Sequence, residues 1–589
     1  DNEPRIKGQS ISSDGNISKI EGAIFTTCKK RDGCPPWELK AKEIKHDKEK
    51  KTIFYKSAWL KLYDKPVFYF PKFFHPDPTV KRQSGFLMPS FTDSTNTGLS
   101  LNLPYYKVLA ENKDFTIRPR FYSNEKTLIQ SEYREVNAKS RHILDLSLMS
   151  EKELSGKSHF FSKSTVTLDF DNFDETELTL NLQQVSNDTY LKLYKLKSPL
   201  ISDSSQSSLA SSLAVNAYRE DLTFDAEFQV FEDLTKKHNN DRYEFILPYF
   251  NLKKELGPSN ILIGNYSLTS SGYIKNYNTN VYEKVLINNL NFNSDSKFTT
   301  NGFKNNYNFL IKNINTEGKN SKTYNNNGDY KLESIFEYNS SYPLKKELEN
   351  YTNILKPLMS FKYSPDKNKD MKNDVNRLDI NNIYSLDRIG TNDAVEGGAS
   401  LTFGTEFSKI NRSDKEVFGA KLANVLRVEE NENLSKTSKL GAKTSDIVGY
   451  LNYDPNDFLK LTYDFSLDGN LEDTNYQLLS SQFKVNNFVT KFEYVNENKT
   501  GNNENYLANK TMYNLNESNN LMYETRQNKK TKLTEFQNLI YQYRNDCLIA
   551  AIEYNKDYYN DGDLKPEENI FFKLTIIPFG QTSSPDLKQ

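Results

Sequence analysis

The sequence predicts an all-β protein: a large transmembrane antiparallel β-barrel of about 24–26 strands, preceded by a small β-domain. Apolar and polar residues alternate along most of the chain, and clusters of Asn, Asp, Ser and Gly separate the alternating runs. No long stretch shows helical periodicity. Aromatic residues make up 13% of the chain although only 36% of its residues are hydrophobic. A disordered chain is poor in aromatics, whereas a barrel combines a wet inner face with aromatic girdles.

The strand prediction rests on patterns of period two. In residues 461–467 four apolar side chains alternate with three polar ones, and residues 144–148 and 224–230 repeat the pattern. The alternation continues from about residue 85 to the last strand without an obvious linker. Roughly 500 residues at about ten per strand, plus connections, give on the order of 24–26 strands. A wall of that width encloses a lumen that side chains alone cannot fill, so it must be a channel or hold a plug.

Composition and motifs exclude several classes of protein. The 77 basic residues balance 78 acidic ones, so no nucleic-acid partner is implied. No stretch approaches the ~18 consecutive apolar residues of a membrane-spanning helix, but a closed barrel needs only alternating apolar positions. The common hydrolase, zinc-protease and phosphate-loop motifs are missing, so we expect neither an enzyme nor a cofactor. The chain opens at Asp1 without a signal-peptide pattern, which we interpret as a mature or truncated product.

The three cysteines leave several pairings open. Cys28 and Cys34 flank a basic loop near the N-terminus, and Cys547 lies more than 500 residues away. An oxidising compartment would permit one bridge and leave one thiol over, and three unpaired thiols are the alternative. We predict no metal site, because the spacer between Cys28 and Cys34 exceeds the usual two to four residues and the five histidines are scattered.

Residues 58–106 form the most distinctive stretch of the chain. Its central motif contains Pro66, Pro71, Pro76, Asp77, Pro78, Lys81, Arg82, Ser84 and Gly85. This pattern resembles the junction of the lipopolysaccharide-assembly (LptD) family, where a periplasmic jellyroll meets the first barrel strands. The similarity continues at residues 185–191, 245–248, 387–398 and 543–547, so it extends over most of the chain.

The resemblance implies a domain organisation and a function. Residues 1–65 would be the C-terminal part of a periplasmic β-jellyroll, residues 66–84 a junction, and residues 85–589 the transmembrane barrel. A family member would lie in the Gram-negative outer membrane and receive lipopolysaccharide from an LptA-like periplasmic bridge protein. It would insert the lipopolysaccharide into the outer leaflet through a lateral gate, while an LptE-like lipoprotein plugs the lumen.

The resemblance also assigns roles to single residues. Pro89 and Pro104 fall within the first two predicted barrel strands, where they would weaken pairing with the last strand and permit lateral exit. The alternative is that both prolines end strands at turns. The resemblance further implies a Cys28–Cys547 disulfide that clamps the jellyroll to the last barrel strands. A bridge from Cys34 to either of the other two cysteines remains open.

Two further questions stay open at this point. Lys81 and Arg82 would either guide anionic phosphates at the barrel entrance or lie as solvated charges at a periplasmic turn. A rival function is that of an outer-membrane porin or a receptor for solute uptake. That function predicts a plug domain or a constriction loop, and no compact insert is visible in the sequence. A soluble carbohydrate-binding β-protein is a more distant alternative.

Overall fold

The computed structural model describes residues 4–30, 35–77, 80, 82–87, 89–150, 156–236, 240–258, 263–498, 504–558 and 565–576. Its strands form two antiparallel sheets. The N-terminal sheet contains β1 (Arg5–Lys7), β2 (Ser10–Ser13), β3 (Ile17–Thr26), β4 (Trp37–Asp47), β5 (Thr52–Leu62) and β6 (Lys65–Pro76). The strand order is β1-β3-β4-β5-β6, with β2 also paired to β3, so β6 lies at one edge of the sheet.

The second sheet contains thirty segments. They are β7 (Gly85–Phe86), β8 (Ser90–Ser94), β9 (Ser100–Asn102), β10 (Tyr105–Ala110), β11 (Lys113–Tyr122), β12 (Thr127–Asn137), β13 (Ser140–Ser150), β14 (Ser158–Thr167), β15 (Glu175–Val185), β16 (Ser208–Arg219), β17 (Leu222–Asp233), β18 (Tyr243–Pro258), β19 (Gly264–Tyr277), β20 (Val281–Ser294), β21 (Lys297–Phe298), β22 (Lys304–Lys319), β23 (Asp329–Ser341), β24 (Leu344–Glu347), β25 (Tyr351–Ser364), β26 (Gly398–Asn411), β27 (Glu416–Arg427), β28 (Ile447–Tyr453), β29 (Leu459–Leu467), β30 (Thr474–Val485), β31 (Phe488–Glu497), β32 (Asn505–Asn516), β33 (Asn519–Asn528), β34 (Thr534–Arg544), β35 (Leu548–Asp557) and β36 (Glu568–Ile576).

These segments make a closed barrel of 26 strands. Four of the strands are each interrupted once, at β7/β8, β9/β10, β20/β21 and β23/β24. Neighbouring strands pair antiparallel, and the pairing of β36 with β8 closes the cylinder. The predicted all-β barrel is therefore confirmed, with a strand count at the upper end of the expected range.

The outer face of the barrel wall is the apolar one. On β12 and β13, Ile129 and Leu148 face each other across the strands and are exposed, whereas Gln130 and Ser147 are buried. Successive side chains of a strand point to opposite faces. The exposed apolar residues therefore line the outside of the barrel, and the buried polar residues line the lumen. A water-soluble barrel would show the reverse, so this wall is built to be surrounded by lipid.

The connection between β15 and β16, residues 186–207, folds against the lumen wall. It contains the one-turn helix α1 (Tyr190–Leu193), whose Tyr190 and Leu191 are buried in a cluster with Phe161 of β14. A 3-10 turn, η1, covers Asn240–Arg242 before β18. In the described part of the chain, no helix is long and apolar enough to cross a membrane.

The connection between β25 and β26, residues 365–397, also packs inside the barrel. Ile383 and Ile389 are buried there against Val425 of β27 and Leu440. Together with residues 186–207, this connection forms folded segments inside the barrel that the sequence analysis did not identify, so the lack of a visible insert does not separate the translocon from the porin alternative. Alternation along a strand reports which face is apolar, but it carries no information about where a long connection folds.

Candidate functional site at the junction of sheet and barrel

The two ends of the chain meet at a disulfide. Cys28, just after β3, is bonded to Cys547, just before β35, and their Cα atoms lie 5.0 Å apart, within the usual range for disulfides. Both side chains are fully buried. Cys34 lies outside the described residues. The covalent link fixes the N-terminal sheet to the last three strands of the barrel.

A shared core and two hydrogen bonds surround the disulfide. The Trp37 indole Nε1 donates to the backbone carbonyl of Cys547 at 3.1 Å, and the backbone N–H of Lys29 donates to Asp546 Oδ2 at 2.7 Å. Leu548 and Ile576, from the barrel, belong to the same buried cluster as the N-terminal sheet. The sheet and the last barrel strands therefore form one packed unit, which the disulfide reinforces.

The interior of the N-terminal sheet contains a buried polar contact near the barrel. The Tyr55 hydroxyl and His75 Nε2 are 2.5 Å apart, and both side chains are buried. Burial raises the pKa of the Tyr55 hydroxyl well above its ordinary value. At neutral pH this hydroxyl is therefore uncharged and is held by the histidine.

The predicted junction motif links sheet and barrel through side chains. Asp77 Oδ2 lies 2.8 Å from His46 Nε2 of β4. On the barrel side, Arg82 Nε donates to the Tyr106 hydroxyl at 3.0 Å and its Nη2 to Asp114 Oδ2 at 2.9 Å. Asp114 is fully buried, so its carboxylate needs such cationic partners. The Arg82 guanidinium thus anchors the junction to β10 and β11 of the barrel.

Five more residues of the motif have described positions. Ser84 Oγ accepts a hydrogen bond from the Val108 N–H at 2.9 Å, and Gly85 pairs with Tyr106. Pro66, Pro71 and Pro76 all lie in β6. Proline donates no ladder hydrogen bond, and an edge strand is where a sheet tolerates it. Pro78 and Lys81 lie outside the described residues, so the phosphate-guiding role considered for Lys81 stays a prediction.

The seam between the first and last barrel strands is short. β36 pairs with β8 over only four residue pairs, from Asn569↔Ser94 to Phe572↔Phe91, whereas β35 and β36 pair over nine. In the described part of the chain, the segment 573–576 of β36 has no ladder partner on the β8 side. This unpaired end leads to Ile576 in the core shared with the N-terminal sheet. Within the described residues, the shortest ladder between two barrel strands therefore lies beside that sheet, and the ladder between the first two strands, with five pairs, is the next shortest.

Both predicted gate prolines lie where the first two barrel strands are interrupted. Pro89 falls between β7 and β8, and Pro104 falls between β9 and β10. The two interruptions face each other, because the Leu87 N–H donates to the Pro104 carbonyl at 2.8 Å. Sequence reasoning missed a third proline, Pro119 of β11, whose carbonyl accepts from the Leu103 N–H at 3.0 Å. Three successive strands beside the seam thus each lack a backbone donor.

A second feature that the sequence did not reveal is a buried ion network inside the barrel. Arg388 binds Glu396 through Nε and Nη2, at 2.5 and 2.7 Å, and Arg427 Nη1 binds the same carboxylate at 2.6 Å. Burial acts to raise the pKa of Glu396, but the two guanidiniums outweigh it and lower that pKa to about 2. The network fixes the connection 365–397 to β27.

A serine–histidine–aspartate contact in the lumen wall is sealed. Ser147 Oγ lies 2.6 Å from His159 Nδ1, and His159 Nε2 lies 3.3 Å from Asp145 Oδ1. All three residues are buried, and the Tyr190 hydroxyl of α1 lies 2.7 Å from Ser147 Oγ. A catalytic nucleophile must reach its substrate, and this buried serine cannot. The contact is therefore structural and packs residues 186–207 against the wall.

In the described part of the chain, no cluster of His, Cys, Asp and Glu is arranged to hold a metal ion.

A closed 26-stranded barrel with an apolar outer face defines a Gram-negative outer-membrane protein. The family profile described as "LptD: LPS transport system D" matches residues 159–523, and "LptD_2: LptD protein" matches residues 53–253. The first of these covers more than half of the chain, so the chain belongs to the LptD family. This is a lipopolysaccharide transport family rather than an enzyme family, and the resemblance identified in the sequence is confirmed.

Individual relatives match over shorter stretches. The LPS-assembly protein LptD of Nitrosococcus oceani is 34% identical over 134 residues, which are 23% of this chain and 18% of that protein. The protein of the same name from Pseudomonas aeruginosa UCBPP-PA14 is 31% identical over 141 residues, covering 24% and 15%. That of Legionella pneumophila strain Paris is 29% identical over 188 residues, covering 29% and 22%. These alignments span less than a quarter of the length of each relative.

Solved structures of outer-membrane receptors also align with the chain. The alcaligin receptor FauA of Bordetella pertussis covers 91% of this chain and 82% of its own, at a TM-score of 0.29 and 7% identity. At that score the likeness supports no conclusion about function, and it does not favour the receptor alternative.

Proposed function

We propose that this protein is an outer-membrane translocon that inserts lipopolysaccharide into the outer leaflet through the seam between β8 and β36. The observation that carries the proposal is the position of this short seam directly beside the disulfide-linked N-terminal sheet. The proposed route runs from the sheet, past the unpaired end of β36, and outward between the two strands. Pro89 and Pro104 serve as the gate residues.

The energetics of the seam support lateral opening. Antiparallel strands form on average one backbone hydrogen bond per residue pair. Opening the seam therefore breaks about four ladder bonds, the bond from the Thr95 N–H to the Glu568 carbonyl and the bond from the Ser94 hydroxyl to Glu567, against about nine ladder bonds between β35 and β36. Exposed backbone groups are costly in lipid, so a shorter ladder lowers the cost of opening in proportion. The prolines at the interruptions remove donors that would otherwise extend the pairing.

The remaining parts of the proposal concern domains and partners. We propose that residues 1–65, with the edge strand β6 (Lys65–Pro76) that belongs to the same sheet, are the end of a periplasmic jellyroll, that the rest of the predicted junction 66–84 links it to the barrel, and that residues 85–589 are the barrel. The jellyroll receives lipopolysaccharide from an LptA-like bridge protein. An LptE-like lipoprotein plugs the lumen, which in a barrel of this width is too wide for side chains alone to fill. The Cys28–Cys547 disulfide keeps the jellyroll under the seam.

Locking the seam tests the proposal. Phe91 and Phe572 are opposite each other on the outer face and are 36% and 39% exposed. We expect a cell-permeable bismaleimide to join them in a Phe91→Cys/Phe572→Cys variant and to stop the arrival of new lipopolysaccharide at the cell surface. The matched control joins β34 to β35 through Tyr541→Cys/Ile552→Cys, an opposed pair that is 39% and 48% exposed.

The readout is lipopolysaccharide accessible to antibody on intact cells in which the variant is the only copy. The amount of new lipopolysaccharide at the cell surface should fall as the crosslinked fraction of the seam variant rises. In the control variant, it should stay unchanged at every crosslinked fraction. Arrival that continues when the seam is fully crosslinked would overturn the proposal. An equal loss in the control variant would show that crosslinking of any pair disturbs the barrel, and it would likewise remove the support for a gate at β8–β36.

A further inference from the structure

A polar pocket lies on the lumen side of β17 to β20. On β19, Tyr273, Lys275 and Tyr277 alternate with Ile274, which is exposed on the outer face, so these three side chains face inward. They line a cavity of about 710 Å³. Glu283 of β20 contributes to the lining from the neighbouring strand. The volume falls within the roughly 300–1,000 Å³ typical of small-molecule sites.

The side chains of the pocket are held in fixed positions before any ligand arrives. The Tyr277 hydroxyl donates to Glu283 Oε1 at 2.8 Å, and the Ser321 hydroxyl donates to the same oxygen at 2.5 Å. Lys275 Nζ lies 4.6 Å from the centre of the Tyr277 ring and 3.0 Å from Glu244 Oε1. Fixed polar groups of this kind orient a ligand without a large ordering cost.

The charges of the pocket disfavour an anionic ligand. Four carboxylates line it against three cations, and each cation is already engaged by a carboxylate. Arg242 Nη2 binds Glu232 at 2.6 Å, and Lys275 binds Glu244. Lys236 Nζ lies 3.8 Å from Asp233. A phosphate or carboxylate would therefore meet net repulsion, because no cation is left to neutralise it.

The chemistry that remains suits an uncharged sugar. Tyrosine rings offer apolar faces to the C–H faces of a pyranose and keep a hydroxyl for hydrogen bonding. Carboxylate oxygens accept hydrogen bonds from sugar hydroxyls. Both bonds described for Glu283 reach Oε1, so within the described residues Oε2 stays available to such a donor.

We propose that this pocket binds uncharged sugar units of a saccharide chain in the lumen, with Tyr273 and the Tyr277 face opposite Lys275 as the stacking surfaces and Glu283 as the hydroxyl acceptor. The identity of the natural saccharide rests on the proposed transport of lipopolysaccharide. The proposal that the pocket binds a neutral sugar does not rest on that function, because it is argued from the pocket's own side chains.

The test is direct binding of a neutral trisaccharide to the purified full-length chain in detergent, measured by saturation-transfer NMR. The probe is N,N′,N″-triacetylchitotriose, and trigalacturonic acid is the anionic comparison. We expect the neutral probe to bind and the anionic one not to bind. Tyr277→Ala should raise the Kd for the neutral probe about tenfold, and Tyr277→Phe, which keeps the ring, should raise it less.

Tyr506 provides a matched control. Its hydroxyl donates to Glu493 Oε1 at 2.9 Å, and Arg526 stacks over its ring at 3.8 Å, so it has the same kind of partners outside the pocket. Tyr506→Ala should leave the Kd unchanged. Absence of neutral binding, stronger anionic binding, or equal loss in Tyr506→Ala would each overturn the pocket proposal. None of these results bears on lipopolysaccharide transport, which the seam-locking experiment tests separately.

Discussion

Removing the Cys28–Cys547 disulfide should release the N-terminal sheet from the barrel. The bond joins positions 519 residues apart. For a loop of that length, the chain-entropy model gives a stabilisation of the folded state of about 6 kcal/mol. In the closed barrel, however, the β8–β36 ladder already connects the ends of the chain. The loop that the bond then closes runs only from Cys28 to the barrel entrance at Gly85. For this shorter loop, the same model gives a stabilisation of the docked sheet of about 4 kcal/mol.

The assay is hydrogen–deuterium exchange of the purified protein with Cys28→Ser and Cys547→Ser in a Cys34→Ser background. Exchange in β4 (Trp37–Asp47) should accelerate by up to about a thousandfold, because each 1.4 kcal/mol corresponds to a factor of ten. Exchange in barrel strands far from the junction, such as β22, should not change. Unaltered exchange in β4 would mean that the noncovalent contacts hold the sheet without the bond, and it would contradict this prediction.

Three further predictions concern buried side chains. Trp37→Phe removes the donor to the buried Cys547 carbonyl and should destabilise the docked sheet by about 1–3 kcal/mol in urea unfolding, whereas no change would contradict that role. Because the pKa of Tyr55 is raised, its stabilising contribution is complete below about pH 10 and lost as the pH rises further. Alkaline unfolding of the sheet, followed by circular dichroism, should therefore shift to higher pH in Tyr55→Phe. Glu396→Gln leaves the Arg388 guanidinium without its buried counter-ion and should cost about 3–5 kcal/mol, seen as faster proteolysis of residues 365–397. In the unaltered protein, the contribution of Glu396 should be complete above about pH 4.5 and lost as the pH falls toward 2.

The barrel could be predicted because its signal is local. Apolar and polar side chains alternate with a period of two along the membrane-spanning strands, so segments such as 461–467 predict both the strand and its apolar face. Counting residues then gave the approximate number of strands. The family emerged from residues 58–106, where nine motif positions fall close together.

The contacts that organise the interior could not be predicted because they are not local. Arg427 lies 31 positions from Glu396, and Trp37 lies 510 positions from the carbonyl that it binds. No sequence period encodes such separations. The Arg82 anchor illustrates the same limit. The sequence shows a cation at this position, but only the fold shows that its partner is Asp114, 32 positions away.

The most direct test of lateral release is a photo-crosslinker placed on the outer face of the seam. Phe572 of β36 and Tyr541 of β34 are each 39% exposed, so they provide equivalent positions at the seam and two strands away from it. With benzoylphenylalanine at either position in growing cells, we expect lipopolysaccharide adducts at Phe572 and few or none at Tyr541. Equal adducts at both positions, or none at Phe572 while lipopolysaccharide still reaches the surface, would contradict release between β8 and β36.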